Sequence, residues 1–234
     1  MESQRLSKVL AQFGIASRRA CEVMIISHRV KVNGKTILQP QHFVDPSKDK
    51  ILVDNQPIEK KPSGKVYYLF NKPCGYVCSH NKAVHGRVIY DFFADHPERL
   101  FSVGRLDKDT SGLILVTNDG AFAQKAIHPS SDINKEYLVK TNKEITDLHL
   151  KIIQNGCDVE GKWVTPVKVM KVRKGTLKII VKEGRKREVR KLVENADLAI
   201  LQLKRISIGN LRLGSMAEGS YRVLSEVEKQ QVFC

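Results

Sequence analysis

Cysteine is scarce in this sequence of 234 residues, and aromatic residues make up only 6% of it. The five cysteines, an odd number at irregular spacing, match neither a disulfide framework nor a pair of zinc knuckles. Cys74 and Cys78 could begin a zinc site, but no second cysteine pair completes it. A reducing compartment is therefore expected, and the cytoplasm is the simplest assignment.

Long apolar runs are also missing. No stretch approaches about eighteen consecutive apolar residues, and the N-terminus has no apolar core of signal-peptide length. The sequence contains no GxxxxGK[ST] phosphate loop, no repeat of fixed period and no low-complexity tract. Its seven histidines are scattered singly and specify no nucleophilic triad. Membrane spanning, secretion and P-loop nucleotide chemistry are therefore not expected.

Acidic residues are outnumbered by basic ones. The chain has 25 Asp plus Glu against 40 Lys plus Arg, a formal net charge of +15. Such an excess favours a polyanionic partner, although a basic surface can also serve solubility alone. The length and the 41% hydrophobic content are sufficient for a small module followed by a larger domain.

The N-terminal third contains local signals for two helices and a hairpin. Apolar periodicity predicts a helix from Arg5 to Phe13 that ends at Gly14, and Ser17 is a suitable N-cap for a second helix. Asn33 and Gly34 have the residue types of a type I′ turn between alternating strands. Residues 1–56 are therefore predicted to form a compact ααβ-type module.

The composition changes between residues 57 and 65, where prolines, a glycine and lysines indicate an exposed linker. After it, short strand patterns alternate with helical ones. Strands are predicted at 66–72, 112–118, 135–141, 164–172 and 176–183, and helices near 87–93, 121–127, 144–155 and 186–195. Residues 66–234 are predicted to form one α+β domain with a mixed, mainly antiparallel sheet.

The segment GRLDKDTSGLILVTNDG, from Gly104 to Gly120, places Asp107 and Asp109 in a polar loop before an apolar strand. A loop fixed to a rigid strand suits a catalytic carboxylate. Three alternatives remain open. The spacing resembles that of a calcium-binding loop, except that Asn118 stands where such a loop has its bidentate glutamate. DKDTSG also resembles an aspartyl-phosphate loop. Finally, Asp107 could simply cap a turn.

Two further segments combine polar residues with strand or helix patterns. EGRKREVRKL opens a predicted helix with the cations Arg185, Lys186, Arg187 and Arg190. Such a charge run is commonly an ordinary solvated helix face. In NKEYLVK, Tyr137 lies in an alternating pattern and could be an ordinary half-buried sheet residue.

Together with NKPCGYVCS (residues 71–79), KEYLV (135–139) and LKRISIG (203–209), these segments resemble the Rsu family of rRNA pseudouridine synthases, in the same order and almost end to end. RLSKVLAQFGIASRRA through RVKVNGK resembles the S4-type RNA-binding domain that commonly precedes that catalytic domain. His28 departs from this pattern, because the module usually has glycine there. A positive φ at His28 is expected to carry some cost.

The resemblance implies an isomerase that converts a specific rRNA uridine to pseudouridine without cofactor or metal. It implies that Asp107 is the nucleophile, that Arg190 is the cation that keeps it ionised, and that Tyr137 stacks on the flipped-out uracil. It further implies substrate contacts from Arg105, Leu203, Arg205 and Lys135. The alternative function is a non-catalytic rRNA-binding or ribosome-assembly protein on the same fold.

The resemblance also assigns phosphate contacts to the first module, which would be sequence-independent and salt-sensitive. The residues are Arg5, Lys8, Arg18, Arg19, Arg29, Lys31 and Lys35. The expected partner is ribosomal RNA, free or in an assembling particle, and the expected oligomeric state is a monomer. GYVCS favours small-subunit enzymes of the family, whereas SRRACE and GRKREVR favour large-subunit ones, so the subunit stays open.

Overall fold

A computed structural model describes residues 3–59 and 64–234 and divides the chain into two compact units, Met1–Gly64 and Lys65–Cys234. The division falls within the predicted linker, of which residues 60–63 lie outside the described part of the chain. Among the helices of the two described ranges, none is long and apolar enough to cross a membrane.

The first unit packs two helices on a small antiparallel sheet. Its elements are β1 (Gln4–Arg5), α1 (Leu6–Gln12), α2 (Arg18–Ile26), β2 (Val30–Val32), β3 (Lys35–Thr36), β4 (Phe43–Val44), β5 (Ile51–Val53) and β6 (Gln56–Pro57). The sheet order is β3-β2-β5-β6, and β1 pairs separately with β4. Leu6, Leu10 and Ile25 from the helices are fully buried with Val30 of the sheet.

Three local predictions for this unit are confirmed. The Ser17 Oγ accepts a hydrogen bond from the Ala20 N–H at 3.1 Å and begins α2. Asn33 and Gly34 have φ values of 50° and 82°, as a type I′ turn requires. His28 has a φ of 62°, the left-handed conformation expected where glycine is usual.

The predicted start of the linker was wrong. β6 (Gln56–Pro57) pairs with β5, and Ile58 packs against the first core, so the unit continues past residue 56. Pro57 can occupy this strand because β6 is at the edge of the sheet, where a missing N–H interrupts no ladder.

The described part of the second unit has eleven strands, and nine of them form one sheet. Its strands are β7 (Tyr67–Lys72), β8 (Phe101–Val103), β9 (Ser111–Thr117), β10 (Lys135–Thr141), β11 (Cys157–Val159), β12 (Lys162–Val164), β13 (Lys168–Arg173), β14 (Thr176–Val181), β15 (Ile200–Ile208), β16 (Leu211–Arg212) and β17 (Tyr221–Val223). The order is β13-β14-β10-β15-β9-β7-β17, with β16 beside β15 and β8 beside β9. β11 and β12 form a separate hairpin.

Helices fill the connections of this sheet. They are α3 (Lys82–His85), α4 (Gly120–Ile127), α5 (Asp147–Asn155), α6 (Glu188–Glu194) and α7 (Glu226–Gln231), with short 3-10 helices at Ile89–Phe93 and Pro129–Ser131. The α+β class and the mainly antiparallel sheet are therefore confirmed.

β9 lies at the centre of the second unit. All seven of its residues are buried, and its side chains alternate between two apolar clusters, one containing Ile114 and the other Leu113. β15 pairs with it in parallel at only two positions, where Gly112 faces Arg205. A Cβ on Gly112 would lie 2.2 Å from the Arg205 carbonyl oxygen, so this close approach requires glycine.

Two strand predictions for this domain need correction. The segment predicted as one strand at 164–172 is two strands, because β12 ends at Val164 and β13 begins at Lys168, on either side of Pro166. The long strand β15 (Ile200–Ile208) was not predicted as a strand, although its side chains complete the centre of the sheet.

Candidate active site

The loop that carries Asp107 connects two neighbouring antiparallel strands. β8 ends at Val103 and β9 begins at Ser111, so both ends of the loop are held by the same sheet. The Thr110 N–H donates to the Asp107 carbonyl at 3.1 Å and tightens the turn. The Asp107 side chain remains 37% exposed, so its carboxylate can meet a ligand from solvent.

Arg190 reaches this loop from α6. Its side chain is only 9% exposed, and its Nη2 donates to the Asp109 carbonyl at 2.9 Å and to Thr110 Oγ1 at 3.2 Å. The same Nη2 lies 3.1 Å from the Asp109 carboxylate. The Nε lies 4.0 Å from Asp107 Oδ2 and has no hydrogen-bond partner among the described residues.

The structure thus brings Arg190 to Asp107 but gives Asp109 the closer contact. Arg187 adds a second cation, with its Nη1 3.7 Å from the Asp109 carboxylate. Asp109 therefore occupies the end of the Arg190 guanidinium and leaves the buried Nε facing Asp107. The sequence identified Asp109 only as a possible metal ligand and contained no sign of this arrangement.

The start of α6 determines where Arg187 and Arg190 point. Arg187 is the N-cap of α6 and has a φ of 55°. At the first residue of the helix, the buried Glu188 carboxylate accepts the Arg185 N–H at 2.7 Å and closes the preceding turn. Burial raises the pKa of the Glu188 carboxyl above its usual range.

Replacing Glu188 with glutamine is expected to make stability rise relative to the parent as the pH increases. The folded state with a raised Glu188 pKa holds more protons than the unfolded state from about pH 4.3 upward, so the parent loses stability over that window. Glutamine keeps an acceptor oxygen for Arg185 and cannot ionise. Urea unfolding of both proteins from about pH 4 to 8 measures the difference, and a pH-independent difference would contradict this origin.

Lys72, at the end of β7, is the site residue that sequence analysis missed. It is fully buried, and its ammonium donates to the carbonyls of Thr110 at 2.7 Å, Pro73 at 3.0 Å and Lys108 at 3.4 Å. Burial lowers its pKa, while nearby acidic groups, including Asp109 and Asp107, act in the opposite direction. The available signal was its position in NKPCGYVCS, the block that supported the family resemblance without an assigned role.

The rest of that block holds the same loop. The Gly75 N–H donates to the Lys108 carbonyl at 2.7 Å, and Cys78 Sγ lies 3.5 Å from both the backbone N and the carbonyl O of Leu106. Burial raises the pKa of the Cys78 thiol, so it serves as a neutral hydrogen-bonding group at neutral pH. Residues 72–78 therefore bind loop residues 106–110 through several backbone contacts.

Replacing Lys72 with methionine is expected to reduce turnover by about 100-fold, because the loop loses its central donor and the site loses a positive charge. Unpaired buried carbonyls should also cost about 1–3 kcal/mol of unfolding free energy. The discriminating measurement is the pH–rate profile, whose acidic limb should move to higher pH. A variant that is merely less stable, with an unmoved acidic limb, would limit Lys72 to a structural role.

Tyr137 and Leu203 lie on adjacent strands beside the loop. Tyr137 pairs in register with Arg205, and Leu203 with Val139, so these side chains share one face of the sheet. Tyr137 is 7% exposed and Leu203 is 4% exposed. Leu203 also lines a cavity of about 360 Å³ together with Asp109 and Ser111.

The other predicted substrate contacts differ in accessibility. Arg105 is exposed and makes no side-chain hydrogen bond within residues 3–59 and 64–234. Arg205 is buried, its Nε donates to the Leu113 carbonyl at 2.7 Å, and its Nη2 is buried without a partner there. The Lys135 ammonium binds the carbonyls of Ile133 and Lys182. Arg205 and Lys135 thus hold the backbone around the site.

The predicted RNA-contacting residues of the first unit are also of two kinds. Arg29 pairs with Asp54, with Nε 2.8 Å from Oδ1, and Lys31 donates to Asn55 Oδ1 at 2.9 Å. The others are exposed and have no side-chain partner in the described part of the chain; they are Arg5, Lys8, Arg18, Arg19 and Lys35. These five are free to meet an anionic ligand.

The calcium alternative for the Asp107 loop does not agree with the structure. Residues 111–117 form the extended strand β9, which cannot wrap around an ion, and Asn118 Oδ1 accepts the Val66 N–H at 2.9 Å. Within the described ranges, no group of three or more His, Cys, Asp or Glu residues is arranged to hold a metal ion.

Comparison with protein families gives two matches. The RNA pseudouridylate synthase family matches residues 66–195, and the S4 domain family matches residues 4–51. The first match includes Lys72, Asp107, Tyr137 and Arg190. The second covers both helices and the hairpin of the first unit.

Individual proteins agree with these matches. The ribosomal large subunit pseudouridine synthase B of Bacillus subtilis is 34% identical over 235 residues, covering 98% of this chain and 95% of its own length. An Arabidopsis thaliana protein with the provisional name of a chloroplastic ribosomal large subunit pseudouridine synthase is 45% identical over 231 residues. That match covers 92% of this chain and 56% of the Arabidopsis protein.

A solved crystal structure of a pseudouridylate synthase has the same overall fold. It superposes with a TM-score of 0.71 at 28% sequence identity, covering 98% of this chain and all of that one. The similarity therefore extends over both units.

Proposed function

Because the chain belongs to the RNA pseudouridylate synthase family, we propose that it isomerises a uridine of ribosomal RNA to pseudouridine with Asp107 as the nucleophile. The observation that carries this proposal is the accessible Asp107 carboxylate beside the buried, unpartnered Nε of Arg190. The positively charged side chains of Arg190 and Lys72 lie near this carboxylate and would stabilise negative charge that develops there during the reaction.

The reaction is an isomerisation and needs no external group. The bond between uracil N1 and the ribose C1′ breaks, the uracil rotates, and a bond forms between its C5 and C1′. The C5 proton is lost and N1 gains one, so atoms and charge balance. Asp107 would supply the electron pair to the nucleotide while the base is detached. The Arg190 Nε, which has no other hydrogen-bond acceptor in the described structure, is available to orient it.

The base must leave its stack before a protein carboxylate can reach the sugar. Tyr137 and Leu203 would form the apolar wall against which the flipped uracil packs, since their side chains share one face of the sheet beside the loop. The exposed Arg105 would contact the displaced strand. Arg205 and Lys135 bind backbone carbonyls, so we propose that they position strands β15 and β10 and do not contact the substrate.

We further propose that the RNA belongs to the large ribosomal subunit. The named relatives at 34% and 45% identity carry large-subunit names, and this favours one of the two options that the motifs left open. The five predicted RNA-contacting cations of the first unit that have no side-chain partner in the described part of the chain would contact phosphates, which supplies affinity without base specificity. A monomeric state and action in the cytoplasm stay predictions.

Mapping pseudouridines in ribosomal RNA from cells with and without this protein tests the proposal. One uridine or a small cluster in large-subunit RNA should lose its modification without the protein and regain it when the gene is restored. Purified protein should modify the same position in a transcript. A map that does not change, with RNA binding intact, would instead support a non-catalytic assembly protein.

A further inference from the structure

One face of the second unit's sheet is formed by β13, β14, β10 and β15 and bears three rows of cross-strand neighbours. In-register partners stand on the same face. The first row is Arg173, Thr176, Lys140 and Gln202; the second is Met170, Lys178, Leu138 and Lys204; the third is Lys168, Ile180, Glu136 and Ser207. We call these residues, with Arg212 bound to Glu136, the basic sheet face.

The basic sheet face is on the side of the sheet opposite the larger core. Tyr137, Val139 and Ile179 alternate with its members along β10 and β14 and belong to that core. The apolar members Met170, Leu138 and Ile180 are only half-buried and belong to no core cluster of the described residues. An antiparallel sheet can leave one face open to solvent, and the residues on such a face are normally polar, while those that alternate with them pack on the core.

The charge of this face is almost entirely positive. Its single acid, Glu136, already lies 3.4 Å from the Lys178 Nζ and also bonds Arg212. No side-chain partner within the described ranges neutralises the remaining cations, which are Lys140, Lys168, Arg173 and Lys204. Four uncompensated cations on one open surface attract a polyanion and repel a second copy of the same face.

The face leads directly to the catalytic loop. Lys204 is the parallel partner of Ser111, the residue that follows the loop containing Asp107 and Asp109. Lys140 and Gln202 line the 360 Å³ cavity together with Asp109. A strand of RNA whose target nucleotide is at Asp107 would therefore reach the uncompensated cations by passing the loop to the side of the sheet opposite Tyr137 and Leu203, where it would meet Lys204 and Lys140 first.

We propose that the basic sheet face binds the sugar-phosphate backbone of the RNA that flanks the target uridine. This inference rests on the proposed function for the identity of the RNA. Flexible lysine ammonium groups suit phosphates as point charges, and the half-buried apolar side chains between them accept ribose edges. The face would therefore contribute affinity for the RNA and set the direction in which the RNA strand lies, while the catalytic loop selects the uridine.

The test compares two triple variants. The face variant is Lys168→Gln, Arg173→Gln and Lys204→Gln; the control is Arg99→Gln, Lys125→Gln and Lys151→Gln, three exposed cations elsewhere on the second unit. The measurements are affinity for a large-subunit RNA fragment at several salt concentrations, single-turnover rate at saturating RNA, and thermal unfolding. Both variants should unfold within a few degrees of the parent.

The face variant should bind about tenfold more weakly near physiological salt, and its salt slope should fall by about two to three, since each phosphate contact contributes about 0.7–0.9. Its saturated rate should fall much less than its affinity, and the control should change neither by more than about twofold. Equal behaviour of the two variants would overturn the proposal. So would a face variant that binds naked RNA normally but no longer binds ribosomal particles, because the partner would then be a protein.

The outcome is separable from that of the proposed function. The salt slope is a property of binding and is measured equally well with Asp107→Asn, the variant expected to lose the chemistry. A chain that binds RNA through this face but forms no pseudouridine would overturn the proposed function and leave the binding surface intact. If the parent forms pseudouridine and the face variant binds RNA with the same affinity and salt slope as the parent, the binding surface would be overturned and the proposed function would stand.

Discussion

Replacement of Asp107 with asparagine is expected to reduce pseudouridine formation by at least about 10⁴-fold, the scale of losing a nucleophile. The amide has almost the same shape but cannot supply the electron pair. The Asp107 side chain is partly exposed, and the loop is held by Lys72, Gly75 and Cys78 through backbone groups and not through the Asp107 carboxylate. The fold and the RNA affinity should therefore change little, with Kd within about threefold of the parent.

The measurement is single-turnover conversion of the mapped uridine at saturating RNA, together with direct binding at the same salt. Asp95→Asn is the matched control, because Asp95 is an exposed aspartate outside the candidate site and forms no ion pair with another residue of the described ranges. It should behave as the parent. Retention of more than about one per cent of the rate by Asp107→Asn would rule out Asp107 as the nucleophile.

Replacement of Arg190 with alanine is expected to lower the saturated rate by about 10²–10³-fold, the range observed when one preorganised donor is removed from an active site. RNA affinity should fall only severalfold, because a single lost cation changes binding modestly. Stability should fall by about 1–2 kcal/mol, since Asp107 and Asp109 are partly exposed and water can solvate them. Equal losses of rate and affinity would contradict the pairing with Asp107.

Arg190→Lys and Asp109→Asn separate the two contacts of the guanidinium. In the parent, the Arg190 Nη2 binds Asp109 and Thr110 while the Arg190 Nε faces Asp107. A lysine at this position keeps the positive charge but cannot make both contacts at once, because it lacks the planar guanidinium. If Asp109 positions Arg190, Asp109→Asn should lower the rate by about tenfold, and the double variant Asp109→Asn with Arg190→Ala should be no slower than Arg190→Ala alone. Lys191→Ala, on the exposed side of the same helix, is the control.

These contacts change the chemical description of the site. The family resemblance implied one carboxylate, Asp107, with one cation, Arg190. The structure contains two carboxylates, Asp107 and Asp109, that share Arg190, and a fully buried ammonium beneath the loop. The positive charge around Asp107 is therefore distributed over Arg190 and Lys72, and loss of either should be less severe than loss of the nucleophile.

The basic sheet face gives the excess positive charge a second location. Five of the cations predicted to contact RNA from the first unit have no side-chain partner in the described ranges, and the second unit carries four uncompensated ones on a surface that continues to the catalytic loop. An affinity that depends on both surfaces would fall steeply with salt concentration. The net charge of +15 is consistent with such a division.

The sequence by itself determined the features that depend on residues close together in the chain. Ser17 caps α2 and Asn33-Gly34 forms the hairpin turn, because a cap and a tight turn need only a few neighbouring residues. The apolar run after Asp109 predicted the buried strand β9 for the same reason. The strand pattern of residues 164–172 predicted a single strand through Pro166, but the structure has two strands there, one on either side of the proline.

Only the tertiary structure decided the roles of residues that meet across long separations. The contact between Lys72 and Thr110 joins positions 38 residues apart, and that between Arg190 and Asp109 joins positions 81 apart. The rows of the basic sheet face depend on the register of β10 with β14 and β15, since a shift of one residue would turn every side chain to the other face. Charge and motif identify which residues are available, but strand register and burial determine which of them act together.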